Sequence, residues 1–478
     1  LFINQGNDAS GLPIFKEEAA AYGLNDDSYS THAVFFDYDG DSYLDMFLLN
    51  HNPKIFTTLE ESSASTVLKE PAPTIRIKLY KNVNGKFEDY SDRAGLYHSS
   101  FTYGLGAGIS DVNNDGRPDI YISNDYSAPD YLYINNGDGT FTDQILSQIG
   151  HISMYSMGND IADVNNDGLP DILTLDMLPE DNRRQKLLFA PDNYEYNDLR
   201  LKLGFHHQDM RNMLQINNGN GTFSEIGQLS GLSNTDWSWA PLFADYDNDG
   251  WKDLFVSNGY LRDYTNMDFL KFKGDFLRGN DPAVVKENLL QLINNMPASN
   301  VNNYIFRNNG DLTFQNKSAD WGMTLPSNSN GAAYADLDND GDLDLIINNI
   351  NLPAFIYQNR SAEISGNKFL KVLLKGAGHN TQGVGAKVWL YAKGKQQYLE
   401  QNPARGYQSS VSPTLHFGLG QTELIDSVRV VWNGGKQQVL RKLKANQTLV
   451  LAEKDAVAVY VAPAAPTALF KEIKSPIA

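Results

Sequence analysis

A nine-residue acidic pattern recurs five times in this chain, and no other feature constrains the fold as tightly. Its fullest form is Asp245-Tyr246-Asp247-Asn248-Asp249-Gly250-Trp251-Lys252-Asp253. Acidic or amide side chains stand at positions 1, 3, 5 and 9 of every copy. The other four sets are Asp37, Asp39, Asp41 and Asp45; Asp111, Asn113, Asp115 and Asp119; Asp163, Asn165, Asp167 and Asp171; and Asp336, Asp338, Asp340 and Asp344. Position 6 is Gly116, Gly168, Gly250 or Gly341, where a sharp turn favours a residue free to take left-handed backbone; Ser42 in the first copy is the one departure. Carboxylates held ~4 Å apart repel by roughly 4 kcal/mol per pair at an effective dielectric of ~20. A turn built this way closes well around a divalent cation and poorly without one.

The donor set decides which cation to expect. With the position 7 carbonyls of Tyr43, Arg117, Leu169, Trp251 and Asp342, each loop offers about five or six oxygens, which suits calcium. Zinc prefers nitrogen and sulfur, and the chain has no cysteine. The rival reading, an EF-hand, needs a glutamate at position 12 and flanking helices. Position 12 is instead Leu48, Ile122, Thr174, Val256 or Ile347, inside β-type runs. Up to five calcium sites are therefore expected, with a structural role.

The same loops account for much of the charge. Their positions 1, 3, 5 and 9 hold 18 of the 58 acidic side chains, and five divalent ions would move the formal net charge of −19 to −9. Acidity of this origin points away from nucleic acid as a partner. Without cysteine there are no disulfides and no thiol chemistry. No apolar run is long enough to span a membrane as a helix. Weak calcium loops stay filled at the millimolar calcium outside cells, so an extracellular or cell-surface location is expected. The chain opens inside a repeat, and its targeting segment is expected to lie outside this sequence.

A second signature alternates with the loops: an apolar-aromatic pair, then Asn, then Phe a few residues on. It reads Leu79-Tyr80-Lys81-Asn82 with Phe87, Leu132-Tyr133-Ile134-Asn135 with Phe141, Leu214-Gln215-Ile216-Asn217 with Phe223, and Ile305-Phe306-Arg307-Asn308 with Phe314. A lone copy opens the chain at Leu1-Phe2-Ile3-Asn4, and a weaker one is Phe355-Ile356-Tyr357-Gln358-Asn359. Gly-rich turns such as Asn136-Gly137-Asp138-Gly139 make these hairpins. Each unit thus reads strand, acidic loop, strand, connection, strand, turn, strand, the pattern of a four-stranded propeller blade that needs neighbours to bury both faces. The acidic loops, as first connections, should share one face. Long insertions at 51–76, 177–211 and 260–303 should crowd the other, and Asp281-Pro282 followed by an apolar stripe predicts an amphipathic helix in the last of them.

Beyond residue 360 the acidic loops stop. Alternating strands such as Phe369–Leu374, Ala386–Tyr391, Ser427–Trp432 and Thr448–Leu451 predict a separate β-sandwich over 361–455, and 456–478 reads as an Ala/Pro-rich linker.

Residues 1–360 resemble FG-GAP/VCBS repeats, through the same Asp-x-Asp-x-Asp-Gly-x-x-Asp loops. Residues 367–453 resemble an ASPIC/UnbV domain, through Asn380-x-x-Gly383-x-Gly385-Ala386, Arg405-Gly406, His416-Phe417-Gly418-Leu419-Gly420 and Val430-Val431-Trp432. The pairing is similar to that of the cartilage acidic protein family and of larger lipid-anchored bacterial VCBS proteins. The resemblance implies an all-β architecture: a seven-bladed β-propeller, incomplete at its N-terminal end here, followed by a β-sandwich. It implies function only loosely, because propellers serve adhesion, recognition and catalysis alike. The favoured expectation is a calcium-stabilised cell-surface binding module, not an enzyme. Its propeller face opposite the ions would meet a surface protein or glycan through Tyr103, Tyr155, Trp237 and Trp239. One alternative is an accessory scaffold in an outer-membrane uptake or secretion complex. Another is a polysaccharide-active enzyme using the cluster His206, His207, Asp209 and Arg211.

Overall fold

The structure, a computed structural model, describes residues 1–53, 68, 72–97, 101–126, 128–189, 193–298 and 300–461. Most of the 51–76 insertion and the greater part of the 456–478 linker lie outside the described residues.

Five antiparallel sheets follow one another. The first four have four strands each: Ser30–Phe36, Asp45–Asn50, Lys78–Val83 and Lys86–Asp89; Gly104–Ser110, Asp119–Asn124, Tyr131–Asn135 and Phe141–Asp143; Asn159–Ala162, Asp171–Thr174, Met213–Asn217 and Phe223–Glu225; Ser238–Ala244, Asp253–Asn258, Tyr304–Asn308 and Phe314–Asn316. The fifth has three: Ser329–Ala335, Asp344–Asn349 and Phe355–Tyr357. The register is the same in all five. The residue before position 1 faces the position 9 aspartate across the first strand pair, as in Phe36 with Asp45, Ser110 with Asp119 and Ala244 with Asp253. Each acidic loop therefore closes the first hairpin of its sheet. The signature Asn and Phe pair across the second hairpin, Asn135 with Phe141 and Asn308 with Phe314. Second strands are buried throughout in the first four sheets and for the most part in the fifth, and the first strands of successive sheets lie beside one another, so the core forms between sheets as well as within them.

The expected all-β, seven-bladed propeller is not what forms. The described chain mixes helices with small separate sheets of two to five strands, and no pairing closes any of them or joins the fifth sheet back to the first. The hairpin rhythm determines local sheets, but it carries no information on how many are laid together. The insertions are long enough to nucleate helices with their own caps. Asn182–Leu188, Tyr194–Lys202 and Met267–Gly279 start where Asp181, Asn193 and Asn266 accept a first-turn N–H. The helix expected after Asp281 breaks at Asn288 into Pro282–Glu287 and Leu289–Asn294, with Leu290 and Ile293 exposed and Leu292 buried.

The C-terminal part packs a three-stranded sheet (Lys368–Lys375, Leu415–Gly420, Gln447–Ala452) against a five-stranded one (Lys387–Ala392, Lys395–Glu400, Leu424–Val431, Lys436–Lys444, Ala458–Val459). Both contribute to one core that includes Leu370, Val372, Val388, Phe417, Val428 and Trp432. Ala458–Val459, at the start of the expected linker, pairs with Lys436 and Gln437.

This domain does not stand apart. Its segment 402–412 runs in among the first strands of the sheets. Asn402 donates to the carbonyl of Ile109, Gly406 bridges to Asn159, and the Ser412 N–H donates to the carbonyl of Tyr334. Arg405 forks onto both oxygens of buried Asp160 at 2.6 Å and donates to the Tyr334 hydroxyl at 2.9 Å, touching the third and fifth sheets at once. Gly406, at φ 77°, packs against Leu242 and Ala240 of the fourth, leaving no room for a side chain. Arg405→Ala leaves Asp160 as an unpaired buried charge and is expected to cost about 3–5 kcal/mol in urea unfolding, with the Arg405→Met, Asp160→Asn pair recovering part of it; a loss under about 1 kcal/mol contradicts this account.

Candidate metal centres and the aromatic end

Each acidic loop is shaped by its own backbone before any ion enters. The position 1 carboxylate accepts the N–H groups of positions 5 and 6: Asp111 from Asp115 and Gly116 at 2.9 and 2.7 Å, Asp163 from Asp167 and Gly168 at 3.1 and 3.0 Å, Asp245 from Asp249 and Gly250 at 3.0 and 2.7 Å. The position 7 N–H of Tyr43, Arg117, Leu169, Trp251 and Asp342 donates to the position 5 carboxylate. Two positions need left-handed backbone. Asn114, Asn166, Asn248 and Asn339 take it at position 4, and glycine at position 6. In the first loop the types are exchanged: Gly40 stands at position 4 and Ser42, at φ 71°, at position 6. The serine that breaks the sequence pattern keeps the turn.

Position 9 does more than offer a ligand. One oxygen of Asp45, Asp119, Asp171, Asp253 and Asp344 accepts the position 2 N–H, and the other accepts the N–H of the hairpin asparagine, Asn82, Asn135, Asn217, Asn308 or Asn359. The carboxamides of the last four reach further, donating at 2.7–2.9 Å to the position 2 carbonyl of the preceding sheet's loop, as Asn308 does to Val164. Sequence reading took these asparagines as hairpin markers. Their recurrence at fixed distance from each loop was the signal of this second role.

Three loops bring acidic oxygens together within 4.8 Å: Asp37, Asp39 and Asp41; Asp245, Asp247 and Asp253; Asp336, Asp338 and Asp340. In the second and third loops Asn113 and Asn165 turn their amides onto Asp115 and Asp167, at 3.0 and 2.9 Å. Asp342 turns its carboxylate away to Asn248 and the Ala362 N–H. The trios fit a hard divalent cation in two ways. Their donors are all oxygen, and Asp336 Oδ1 is buried without a hydrogen-bond partner. Burial, with neighbouring carboxylates adding to it, pushes Asp37 up to about 6, Asp45 to about 7 and Asp119 to about 8, and raises Asp245 and Asp253 strongly. These acids resist ionising together without a cation close by.

The C-terminal domain touches each of the five loops and leaves Asp39, Asp41, Asp338 and Asp340 exposed. Lys387 pairs with Asp111 and Lys371 with Asp336. His379 stacks on Tyr43 at 4.1 Å, Gln396 lies against Gly168, and His416 bonds Asn248 at 2.6 Å. A side chain at Gly418 would overlap the Asp245 carboxylate, which explains that glycine of the His416–Gly420 stretch. Within the repeats, Lys81 pairs with Asp39, and Arg307 with Asp247 and Asp249.

At the other end of the sheets the four aromatic residues singled out from sequence do meet. Tyr103, Tyr155, Trp237 and Trp239 join one cluster with Tyr260, Met157 and Tyr407, the last carried there by the segment that holds Arg405. Trp237 stacks on Tyr260 at 4.2 Å, and Trp239 meets Tyr407 at 5.0 Å. The cluster around His206 is tied up instead: His206 bonds the Ile149 carbonyl, and Arg211 contacts His151, Asp209 and Glu225. No helix among the described residues is long and apolar enough to cross a membrane.

Serial sheets joined through acidic first turns and overlain by a two-sheet domain define a class of repeat protein. Residues 111–174, 203–256 and 293–347 match the FG-GAP-like repeat, and residues 376–458 match ASPIC and UnbV. The chain thus combines FG-GAP-like repeats with an ASPIC and UnbV domain. It is similar to cartilage acidic protein 1 of Xenopus tropicalis, 26% identical over 351 residues, and of Homo sapiens, 24% over 354. The match covers 72% and 73% of this chain but 44% and 43% of those relatives, so the chain spans under half their length. Among solved structures it is similar to an Agrocybe aegerita lectin that recognises terminal N-acetylglucosamine (13% identity, 85% of this chain and 89% of that one, TM-score 0.33). Another is the rhamnogalacturonan lyase YesX (12%, 88% and 62%, TM-score 0.29). Likenesses this weak carry no argument about fold or activity.

Two outcomes are expected. Asn308→Ala removes three carboxamide bonds, to Val164, Lys252 and Gly310, and should lower the unfolding free energy by about 1–3 kcal/mol with or without calcium, whereas Asp247→Asn, which also gives up the charge facing Arg307, should cost more with calcium present than without. Because the folded carboxylates hold protons up to about pH 6–8, the metal-free protein binds more protons folded than unfolded and loses stability as pH rises through that range. Calcium needs the ionised ligands, so the melting-temperature gap between calcium-loaded and chelated protein should widen from pH 6 to 8.5; a gap independent of pH contradicts this.

Proposed function

We propose that this chain is a calcium-stabilised, non-enzymatic binding module of a cell surface, which meets a glycan or protein through the aromatic end of its sheets. The observation that carries the reading is the division of labour between the two ends. The acidic loops meet the C-terminal domain through Lys371 and Lys387, while Tyr103, Tyr155 and Trp239 gather, half-buried, at the other end, which the domain reaches through the segment that carries Tyr407. Half-buried aromatic faces are well suited to stacking on a sugar ring or anchoring a partner.

The ions belong to this reading as fasteners. Calcium would be held by the three aspartate trios, with Asp111, Asn113, Asp115 and Asp119, and Asp163, Asn165, Asp167 and Asp171, as fourth and fifth sites. A site filled at a hundred times its dissociation constant adds about 2.7 kcal/mol to stability, so several together govern whether the sheets stay assembled. Surface location and any membrane-anchored partner belong to the same proposal.

Excess chelator is expected to lower the melting temperature strongly and calcium to restore it. A glycan and protein-ligand array probed with calcium-loaded wild type and Trp239→Ala tests the binding end. The expected result is a ligand that Trp239→Ala loses while keeping its melting curve; a ligand bound equally by both moves the binding end elsewhere.

A further inference from the structure

The aromatic end has a carboxyl group at its centre, which burial, with the charge of Asp176 adding to it, pushes up to about 7 and which a cation beside it would hold ionised. Asp125 follows the strand Asp119–Asn124; its N–H donates to the Tyr103 carbonyl at 3.0 Å, and its Oδ1 accepts the Tyr126 N–H at 2.6 Å. Tyr126 is held at φ 63°, a region bulky side chains avoid, and its ring meets Tyr103 edge-on at 4.8 Å. Tyr260 and Tyr264 stand 5.6 Å apart, and Trp237, Trp239 and Tyr407 complete the wall.

The tyrosines surround this one carboxylate. Burial first, and then the Asp125 charge, lifts the hydroxyls of Tyr103, Tyr126, Tyr260 and Tyr407, and the same charge acts more weakly on Tyr155 and Tyr264. None of these six hydroxyls has a hydrogen-bond partner among the described residues. No lysine, arginine or histidine among them pairs with Asp125 either; the charge acting on it is the like charge of Asp176. Two other buried acids have a cation of the chain beside them, Asp160 in Arg405 and Asp236 in Arg184, while Asp130 and Asp176 are held by hydrogen bonds from hydroxyl and backbone groups. Asp125 sits half-buried among rings with no cation of the described residues paired to it.

We propose that this cup binds a small organic cation carrying a quaternary ammonium group, with the tyrosine and tryptophan rings against its methyl groups and Asp125 as the counter-charge. The inference rests on the reading that the aromatic end is the binding end, and it adds the class of ligand. Ring faces attract such a cation through their quadrupole, most strongly where water is excluded. A neutral ligand of the same shape would cover Asp125 without compensating it, which is unfavourable.

The test titrates calcium-loaded protein with choline and with 3,3-dimethylbutan-1-ol, its uncharged isostere, followed by tryptophan fluorescence and calorimetry. Saturable choline binding, at least roughly tenfold tighter than the alcohol, is expected. Asp125→Asn, which keeps size and shape, should weaken choline at least roughly tenfold with an unchanged melting curve and leave the alcohol unaffected. Equal affinity for the two probes overturns the proposal without needing any variant, as does full choline affinity in Asp125→Asn. Absence of choline binding, with a glycan or protein still lost by Trp239→Ala, overturns the cation and leaves the binding end in place; a partner indifferent to Trp239→Ala fails the broader reading instead.

Discussion

Like charges buried side by side are tolerable only when charge of the opposite sign is fixed among them, and in this chain the C-terminal domain supplies much of it. Lys387 and Lys371 reach the position 1 aspartates of the second and fifth loops, and Arg405 reaches Asp160 between the first strands. Lys81 and Arg307 do the same from within the repeats. A divalent ion in an aspartate trio acts on the same balance from the other side, since it favours the ionised form of acids that burial otherwise holds protonated.

Geometry follows from this charge arrangement. Two hydrogen-bonded aspartates per loop and a hairpin asparagine that reaches the preceding loop lay the sheets side by side with little freedom between them. The segment 402–412 then crosses from the acidic end to the aromatic end, so that one polypeptide stretch contacts the ion loops near Asn402 and places Tyr407 beside Trp239. The two ends of the molecule are thereby mechanically joined.

Much of the local structure was legible in the residues. The acidic spacing located each first turn and the Asn-Phe signature each second hairpin, and Tyr103, Tyr155, Trp237 and Trp239 do share one cluster. Ser42 looked like a weakened loop because glycine was expected at one position, while the turn needs left-handed backbone at two and the first copy exchanges them with Gly40. Asp125 was passed over, since a single aspartate after a strand carries no pattern; only the tyrosines converging from distant segments give it meaning. The propeller expectation failed for a different reason. A repeat declares the unit, but the number of units assembled and the content of the insertions depend on contacts the repeat does not encode.

Short-range chemistry, in which the partners lie within a few residues, was therefore determined by the sequence itself: the loop turns, the hairpins, the alternating strands of the C-terminal domain and the all-oxygen donor sets. Tertiary structure alone decided that this domain sits on the acidic loops, that Arg405 finds Asp160 some 245 positions away, and that Gly418 must be bare because Asp245 lies against it. Such pairings join surfaces complementary in shape and charge, and complementarity between distant segments leaves no spacing to read along the chain.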